Sequence, residues 1–328
     1  ALQPDGWFTY DYKYGRVAGA PKNYVQYVPF DHKNISDASY EDGQAALAAA
    51  HAAQADWART APRVRAELLR AAFEKVTAMA DDFAMLMSME MGKPFAEAKG
   101  EVAYGAEFLR WFSEEAARVY GRYSTAPDGK NRIMVLKKAV GPALLITPWN
   151  FPLAMATRKI APAIAAGCTM VLKPSPFTPM TVLRIGELVR DFVPAGVLNI
   201  ISGGDALGPM MTAHPGVDKI SFTGSTATGK RVMAAAALGL KRLTLELGGN
   251  DAAIIMPDVP IEETAQKVFR SAFVNSGQVC IATKRAYVHE AIYDEFRDAL
   301  ARLVVSAKVG DGSEPGITHG PIQNRLQF

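Results

Sequence analysis

The feature that most constrains this chain is the alternation of short apolar runs with helical segments between residues 143 and 256. Apolar runs fall at Ala143 to Thr147, Thr169 to Leu172, Leu198 to Ser202, Lys219 to Thr223 and Ala252 to Met256. Amphipathic stretches such as Thr181 to Phe192 and Thr228 to Ala237 lie between them. This β-α-β-α order predicts a parallel sheet covered by helices on both faces. Near Gly248-Gly249-Asn250 the pattern passes into a second α/β unit. That unit has a helix at Ile261 to Phe273, a strand at Arg285 to Val288, and a helix from Ile292 through Phe296 and Leu300.

Ahead of the alternation, Glu41 to Gly121 is Ala-rich and helical in pattern. Leu68, Leu69, Ala72, Phe73, Val76 and Met79 make one apolar stripe, and Glu101 to Tyr120 repeats the pattern through Phe108, Trp111 and Phe112. Between Tyr123 and Lys138 a polar turn, Pro127 to Asn131, leads into Arg132-Ile133-Met134-Val135-Leu136-Lys137, which reads as a β-hairpin.

A length of 328 residues suits two domains, and 49% hydrophobic residues suffice for more than one core. Net charge is +3, with Lys and Arg scattered among Asp and Glu. That argues against nucleic acid or an anionic membrane as the main partner. No run of about 18 apolar residues occurs, and Ala1 to Tyr10 lacks the basic and apolar regions of a signal peptide. Two cysteines, Cys168 and Cys280, are too few for a disulfide scaffold and fit a reducing cytoplasmic setting. No metal site is expected.

Five segments carry candidate chemistry. Strand Lys219 to Phe222 runs into Thr223-Gly224-Ser225-Thr226-Ala227-Thr228-Gly229 and a helix, and a glycine turn opening a helix leaves N–H groups suited to a phosphate. Read alone, this is also an ordinary strand-to-helix turn. Lys173, at the end of Val171-Leu172-Lys173-Pro174-Ser175, is placed to reach a ribose hydroxyl or phosphate, or simply to be solvated before a loop. Thr147-Pro148-Trp149-Asn150-Phe151-Pro152 holds an Asn amide in a rigid turn, able to donate where charge develops or to pack for stability.

Glu246 alternates with leucines in Leu243-Thr244-Leu245-Glu246-Leu247-Gly248-Gly249. Those leucines suggest an apolar setting, which would raise its pKa toward that of a general base; a structural ion pair is the alternative. Cys280 follows the polar loop Asn275-Ser276-Gly277-Gln278-Val279, where burial is disfavoured and a nucleophile is plausible. Cys168, in the small-residue run Ala165-Ala166-Gly167, reads instead as an inert buried residue.

Taken in chain order, from Thr147 to Cys280, the five segments resemble the aldehyde dehydrogenase family. Cys280 follows Glu246 by 34 positions, a separation familiar there, and the resemblance extends to Glu90-Met91-Gly92-Lys93-Pro94. It implies that Cys280 attacks an aldehyde, that Asn150 and the Cys280 N–H hold the oxyanion, and that Glu246 activates the water that hydrolyses a thioester. It further implies that Gly224 and Ser225 contact the pyrophosphate of NAD(P), that Lys173 contacts the adenosine ribose, and that Ile146 and Trp149 line the cofactor cleft. Relatives that favour NAD commonly carry a glutamate at the position of Pro176; its replacement, with Ser175 beside Lys173, implies NADP as the favoured cofactor, with NAD as the fallback.

Thr157-Arg158-Lys159 and Phe108 to Gly121 look like succinate-semialdehyde dehydrogenases, where the arginine matching Arg158 helps bind the substrate carboxylate. The second such arginine, six places before the nucleophile, is Val274 here. The expected architecture is a Rossmann-like parallel-sheet cofactor domain (1–120 and 140–249), a β-hairpin oligomerisation arm (121–139) and an incomplete α/β catalytic domain (250–328). Family members continue past this endpoint, so a C-terminal part is expected to be missing. The resemblance implies that the arm pairs with a neighbouring subunit, giving a homo-oligomer, dimer or tetramer. The rival reading is a truncated, non-catalytic relative that binds nucleotide only. A cysteine hydrolase would need a histidine partner, and His32, His51, His214, His289 and His319 all fall outside the motifs.

Overall fold

The computed structural model describes residues 38–328. The stretch Ala1 to Tyr10 and His32 lie outside the described residues. The chain forms two compact units, one containing 101–246 with the described residues up to 80, the other containing 81–100 with 247–328.

The described chain opens with α1 (Tyr40–Arg59), α2 (Pro62–Ala78), α3 (Ala80–Met91) and α4 (Phe95–Glu115). At the start of α1, Ser39 Oγ accepts the Asp42 N–H while the Asp42 carboxylate accepts the Ser39 N–H. This reciprocal cap satisfies two N–H groups that a helix end would otherwise leave bare. The α2 stripe is buried through Leu69, Ala72 and Val76. In α4 the phase differs from the expectation. Val102, Ala106 and Leu109 are buried, whereas Trp111 is 62% exposed. The narrow stripe of small and branched residues forms the fully buried line, while Phe108 and Phe112 are only half-buried.

Strands β1 (Arg122–Thr125) and β2 (Arg132–Val135) pair antiparallel as the expected hairpin. The rest of the first unit comprises β3 (Ala143–Ile146), α5 (Pro152–Ala166), β4 (Met170–Lys173), α6 (Met180–Val189), β5 (Leu198–Ile200), α7 (Leu207–Ala213), β6 (Lys219–Thr223), α8 (Thr226–Ala237) and β7 (Arg242–Glu246). Its sheet has the order β5-β4-β3-β6-β7, and every pairing is parallel.

That order dictates where the helices go. Steps β3→β4→β5 move one way across the sheet, while β5→β6 and β6→β7 move the other. Right-handed crossovers therefore put α5 and α6 on one face and α7 and α8 on the other. The contacts agree: α5 and α6 pack with α2, and α7 packs with α1 and α8. With both faces covered, β3 and β4 read as continuous apolar runs, and Leu144, Val171 and Leu172 are fully buried. Helix α5 is absent from the sequence expectations because it is apolar nearly all round and shows no stripe.

In the second unit, β8 (Asp251–Ile255) and β9 (Thr283–Val288) pair in parallel, with α9 (Ile261–Phe273) between them and α10 (Tyr293–Ser306) following. Ile255, Ala265, Val268, Phe296 and Ala299 form its core. Residues 81–100 belong here, although the sequence expectation placed them with the first unit. The Phe95 N–H donates to the Gly312 carbonyl at 3.0 Å, a pairing between residues too far apart in sequence for local pattern to reveal.

Candidate active site

In the first unit the strand order reverses between β3 and β6. The chain leaving β3 turns to one face and the chain leaving β6 to the other, so a crevice opens at the carboxyl ends of these two strands. Register places Ile146 beside both Lys173 and Phe222, and Thr223 beside Glu246. Sequence-predicted residues from four strands thus share one edge of the sheet. The loops are tied together there. The Thr147 N–H donates to the Lys173 carbonyl (3.2 Å) and the Gly224 N–H to the Glu246 carbonyl (3.0 Å). Thr178 Oγ1 donates to the Trp149 carbonyl at 3.2 Å.

Ser225 caps α8, its Oγ accepting the Thr228 N–H at 3.2 Å. Gly224 has no room for a side chain, since an added Cβ would lie 2.6 Å from the Phe222 ring. The helix N-terminus and this bare backbone suit a phosphate. Two hydroxyls at the strand ends, Thr147 Oγ1 and Thr223 Oγ1, are buried without a hydrogen-bond partner, an arrangement that normally signals a missing ligand or water. The residues present fit a dinucleotide at this crevice. Lys173 is buried at the end of β4. Ser175 Oγ accepts the Phe177 N–H at 3.2 Å, and Pro176 beside it is half-buried.

Helix α5 begins with Pro152, and the buried Glu101 carboxylate accepts the next two N–H groups, of Leu153 (2.9 Å) and Ala154 (3.1 Å). This supplies the cap that Phe151 cannot and anchors the turn containing Asn150, which is half-buried. Two turns into α5, the Arg158 guanidinium stacks 5.2 Å from the Phe108 ring centroid and meets Met155 Sδ at 3.7 Å. Among the described residues no carboxylate pairs with it. Its neighbour Lys159 is 6% exposed, and its Nζ donates to Ser221 Oγ at 3.0 Å. Burial, reinforced by the charge of Arg158, pulls the Lys159 amine down to about 8, against an upward pull from Glu246. Lys159 is absent from the sequence-predicted site. The available signal was a lysine inside a helix apolar on nearly every side, which has to be buried.

Glu246 departs from expectation. It is exposed rather than set among apolar groups, because alternation along β7 sends Leu243 and Leu245 to one side and Thr244 and Glu246 to the other. β7 is also an edge strand.

The second unit holds the cysteine loop. Cys280 is exposed, whereas Cys168 is buried at 4% in the first unit. After α9 the chain makes a left-handed turn: Asn275, Ser276 and Gly277 all have positive φ, at 53°, 55° and 77°. For the two non-glycine residues this costs on the order of 1–3 kcal/mol each and persists only where contacts over-determine it. Asn275 is 2% exposed, and its N–H donates to Glu97 Oε2 at 2.9 Å. Ser276 Oγ donates to the Gly320 carbonyl (2.8 Å), and the Gln323 N–H to Gln278 Oε1 (2.9 Å). On the far side, Lys284 Nζ donates to the carbonyls of Val279, Cys280 and Ala282 at 3.0–3.1 Å. Glu97 and Lys284 were not singled out from the sequence; their partners are backbone groups, which leave no side-chain pattern to read.

The first unit is thus a doubly wound α/β layer with a dinucleotide-compatible crevice, and the second presents an exposed thiol on a clamped turn. The sequence matches the aldehyde dehydrogenase family over residues 19–328, and the chain belongs to that family. It is 51% identical over 294 residues to a succinate-semialdehyde dehydrogenase of Paenarthrobacter nicotinovorans, covering 88% of this chain and 65% of that protein. It is 43% identical over 284 residues to the NADP(+) succinate-semialdehyde dehydrogenase GabD of Escherichia coli strain K12, covering 86% and 59%. The crystal structure of succinate-semialdehyde dehydrogenase from Burkholderia pseudomallei superposes with a TM-score of 0.87 at 44% identity, covering 89% of this chain and 61% of that one. The chain therefore spans about three-fifths of the length of these relatives.

Proposed function

We propose that this chain carries the catalytic residues of an NAD(P)-dependent aldehyde dehydrogenase that converts a semialdehyde, with succinate semialdehyde as the favoured substrate, to the carboxylic acid. The observation that carries this reading is the exposed thiol of Cys280 at the end of a strained, clamped turn, in a chain whose second cysteine is buried. Its sulfur adds to the aldehyde carbon to form a thiohemiacetal. The Asn150 side chain and the Cys280 N–H stabilise the oxyanion as charge develops. When bound, NAD(P)+ supplies the acceptor for the hydride that leaves this carbon. The Cys280 thioester is then cleaved by water, with Glu246 taking the proton, to release the acid and the thiol.

Gly224 and Ser225 would hold the pyrophosphate, Lys173 and Ser175 the adenosine ribose or its phosphate, and Ile146 and Trp149 the walls of the cleft. NADP is the favoured cofactor, because Pro176 offers no carboxylate to repel a 2′-phosphate. Arg158, with no carboxylate partner among the described residues, would take the substrate carboxylate. The exposed apolar side chains of the hairpin, Tyr123 and Met134 among them, support assembly into a homo-oligomer. No helix among the described residues is long and apolar enough to cross a membrane, and a cytoplasmic setting is part of this reading.

The test is reduced-cofactor formation with succinate semialdehyde. Cys280→Ala should abolish it and Cys168→Ala should not. Glu246→Gln should leave a first burst of reduced cofactor followed by slow turnover. Oxidation that survives Cys280→Ala would refute the mechanism, and nucleotide binding with no oxidation by the unaltered chain would favour a binding-only protein.

A further inference from the structure

We propose that Glu97 is a positioning residue for the nucleophile, its carboxylate holding the left-handed turn 275–277 that presents Cys280. This rests on the reading of Cys280 as the nucleophile. Asn enters the left-handed region more readily than most residues, here with its Nδ2 donating to the Gln278 carbonyl at 3.4 Å, but an Asn-Ser succession there remains strained because each Cβ crowds a carbonyl. Something outside the turn must hold it. The contact at its first residue comes from 178 positions away, where Glu97 Oε2 accepts the buried Asn275 N–H at 2.9 Å. Within the turn, the Gln278 N–H and Nε2 both donate to the Asn275 carbonyl, at 3.1 and 3.0 Å. These bonds close the turn on itself but do not fix it to the unit. Ser276 and Gln278 fix it through neutral partners near Gly320 and Gln323. The bond to Glu97 has an ionised acceptor, and such bonds are the stronger kind.

The anchor is also sensitive to protonation. Glu97 sits in the first turn of α4, faced by Lys93 before that helix, Arg270 on α9 and His319 in the loop beyond α10. Burial pushes its carboxyl above the ordinary value, while the Asn275 N–H and the charges of Lys93, His319 and Arg270 pull it back. As pH falls, Glu97 takes up a proton earlier than an exposed glutamate, the acceptor weakens, and the turn loosens.

Amide hydrogen exchange of the chain, read by mass spectrometry on peptides covering 274–280 and on α9, tests this without relying on turnover. After correction for intrinsic exchange, Glu97→Ala should speed exchange at 274–280 by about ten- to a hundredfold, with α9 and α10 unchanged. In the wild-type protein the ratio of exchange at 274–280 to that of α9 should rise from neutral into acid pH. In Glu97→Gln, which keeps a neutral acceptor, that ratio should lie between wild type and Ala and stay flat with pH. An unchanged 274–280 segment in Glu97→Ala, an equal rise across α9 and α10, or a flat wild-type ratio would overturn the proposal. If Glu97→Ala does not fold, the wild-type and Glu97→Gln profiles decide it alone. Should the exchange results hold while Cys280→Ala retains oxidation, the turn is anchored as described and the nucleophile assignment is the part that fails.

Discussion

Lys159 and Ser221, one on α5 and one on β6, meet as a buried ammonium and hydroxyl at 3.0 Å. The two are 62 residues apart, and the pair stands on the face of the sheet that α5 covers. The Lys159 amine, pulled down to about 8 by burial, binds fewer protons in the folded chain than in the unfolded chain between that value and its ordinary 10.5. Stability from this group therefore rises with pH across that window, and its full desolvation cost applies below it.

Replacing Lys159 by Met removes this linkage. The expected outcome is that the unfolding free energy of wild type, measured against Lys159→Met by urea denaturation, gains about 2–3 kcal/mol between neutral pH and pH near 10. Parallel curves for the two proteins would show that Lys159 stays protonated throughout.

Arg158→Ala is expected to raise KM for succinate semialdehyde by about ten- to a hundredfold, and to leave KM for an uncharged aldehyde of similar length nearly unchanged. Arg158→Lys keeps the charge but loses the planar fork and the stacking on Phe108 seen at 5.2 Å, so it should recover only part of the loss. Equal effects on charged and neutral aldehydes would make Arg158 structural.

Pro176→Glu should move the ratio of kcat/KM for NADP over NAD toward NAD, since a carboxylate beside Lys173 and Ser175 repels a 2′-phosphate and accepts hydrogen bonds from ribose hydroxyls. The wild type is expected to favour NADP. A clear wild-type advantage for NAD would remove the argument from Pro176.

Gly249→Ala should disturb Cys280 from the rear. A Cβ at Gly249 would stand 2.7 Å from the Cys280 carbonyl oxygen and 2.5 Å from Asp251 Oδ1. The backbone of the cysteine has to move, at a cost of about 1–3 kcal/mol for overpacking. A melting temperature lowered slightly and turnover lowered at least about tenfold is the expected pair of results. Wild-type turnover in Gly249→Ala would mean that the Cys280 backbone can shift without consequence.

Much of the architecture was legible because it rests on short-range periodicity. Apolar runs separated by helical stretches predict parallel strands and crossover helices, and β6 and α9 run over the residues expected, Lys219–Thr223 and Ile261–Phe273. Helix α5 and the true buried face of α4 were not legible. A helix apolar on all sides has no phase to read, and a stripe of Val102, Ala106 and Leu109 is hidden beside larger exposed aromatics. In the candidate site, the polar loop before Cys280 led to the expectation of an exposed thiol, and it is exposed; Lys173, read alone as a solvated lysine before a loop, is buried.

What the sequence alone determined was the local grammar: which stretches are strands and helices, that the strands run parallel, and which segments end at a strand's carboxyl edge. Tertiary structure alone decided that β3 and β6 are neighbours, so that two loops diverge and leave a crevice between them. It decided that Glu246 faces outward, that Lys159 finds Ser221, and that Glu97 reaches the Asn275 N–H across 178 positions. The physical reason is range. Backbone preference and side-chain periodicity act over a few residues, whereas burial, register and the partner of a buried charge depend on which distant segments pack together.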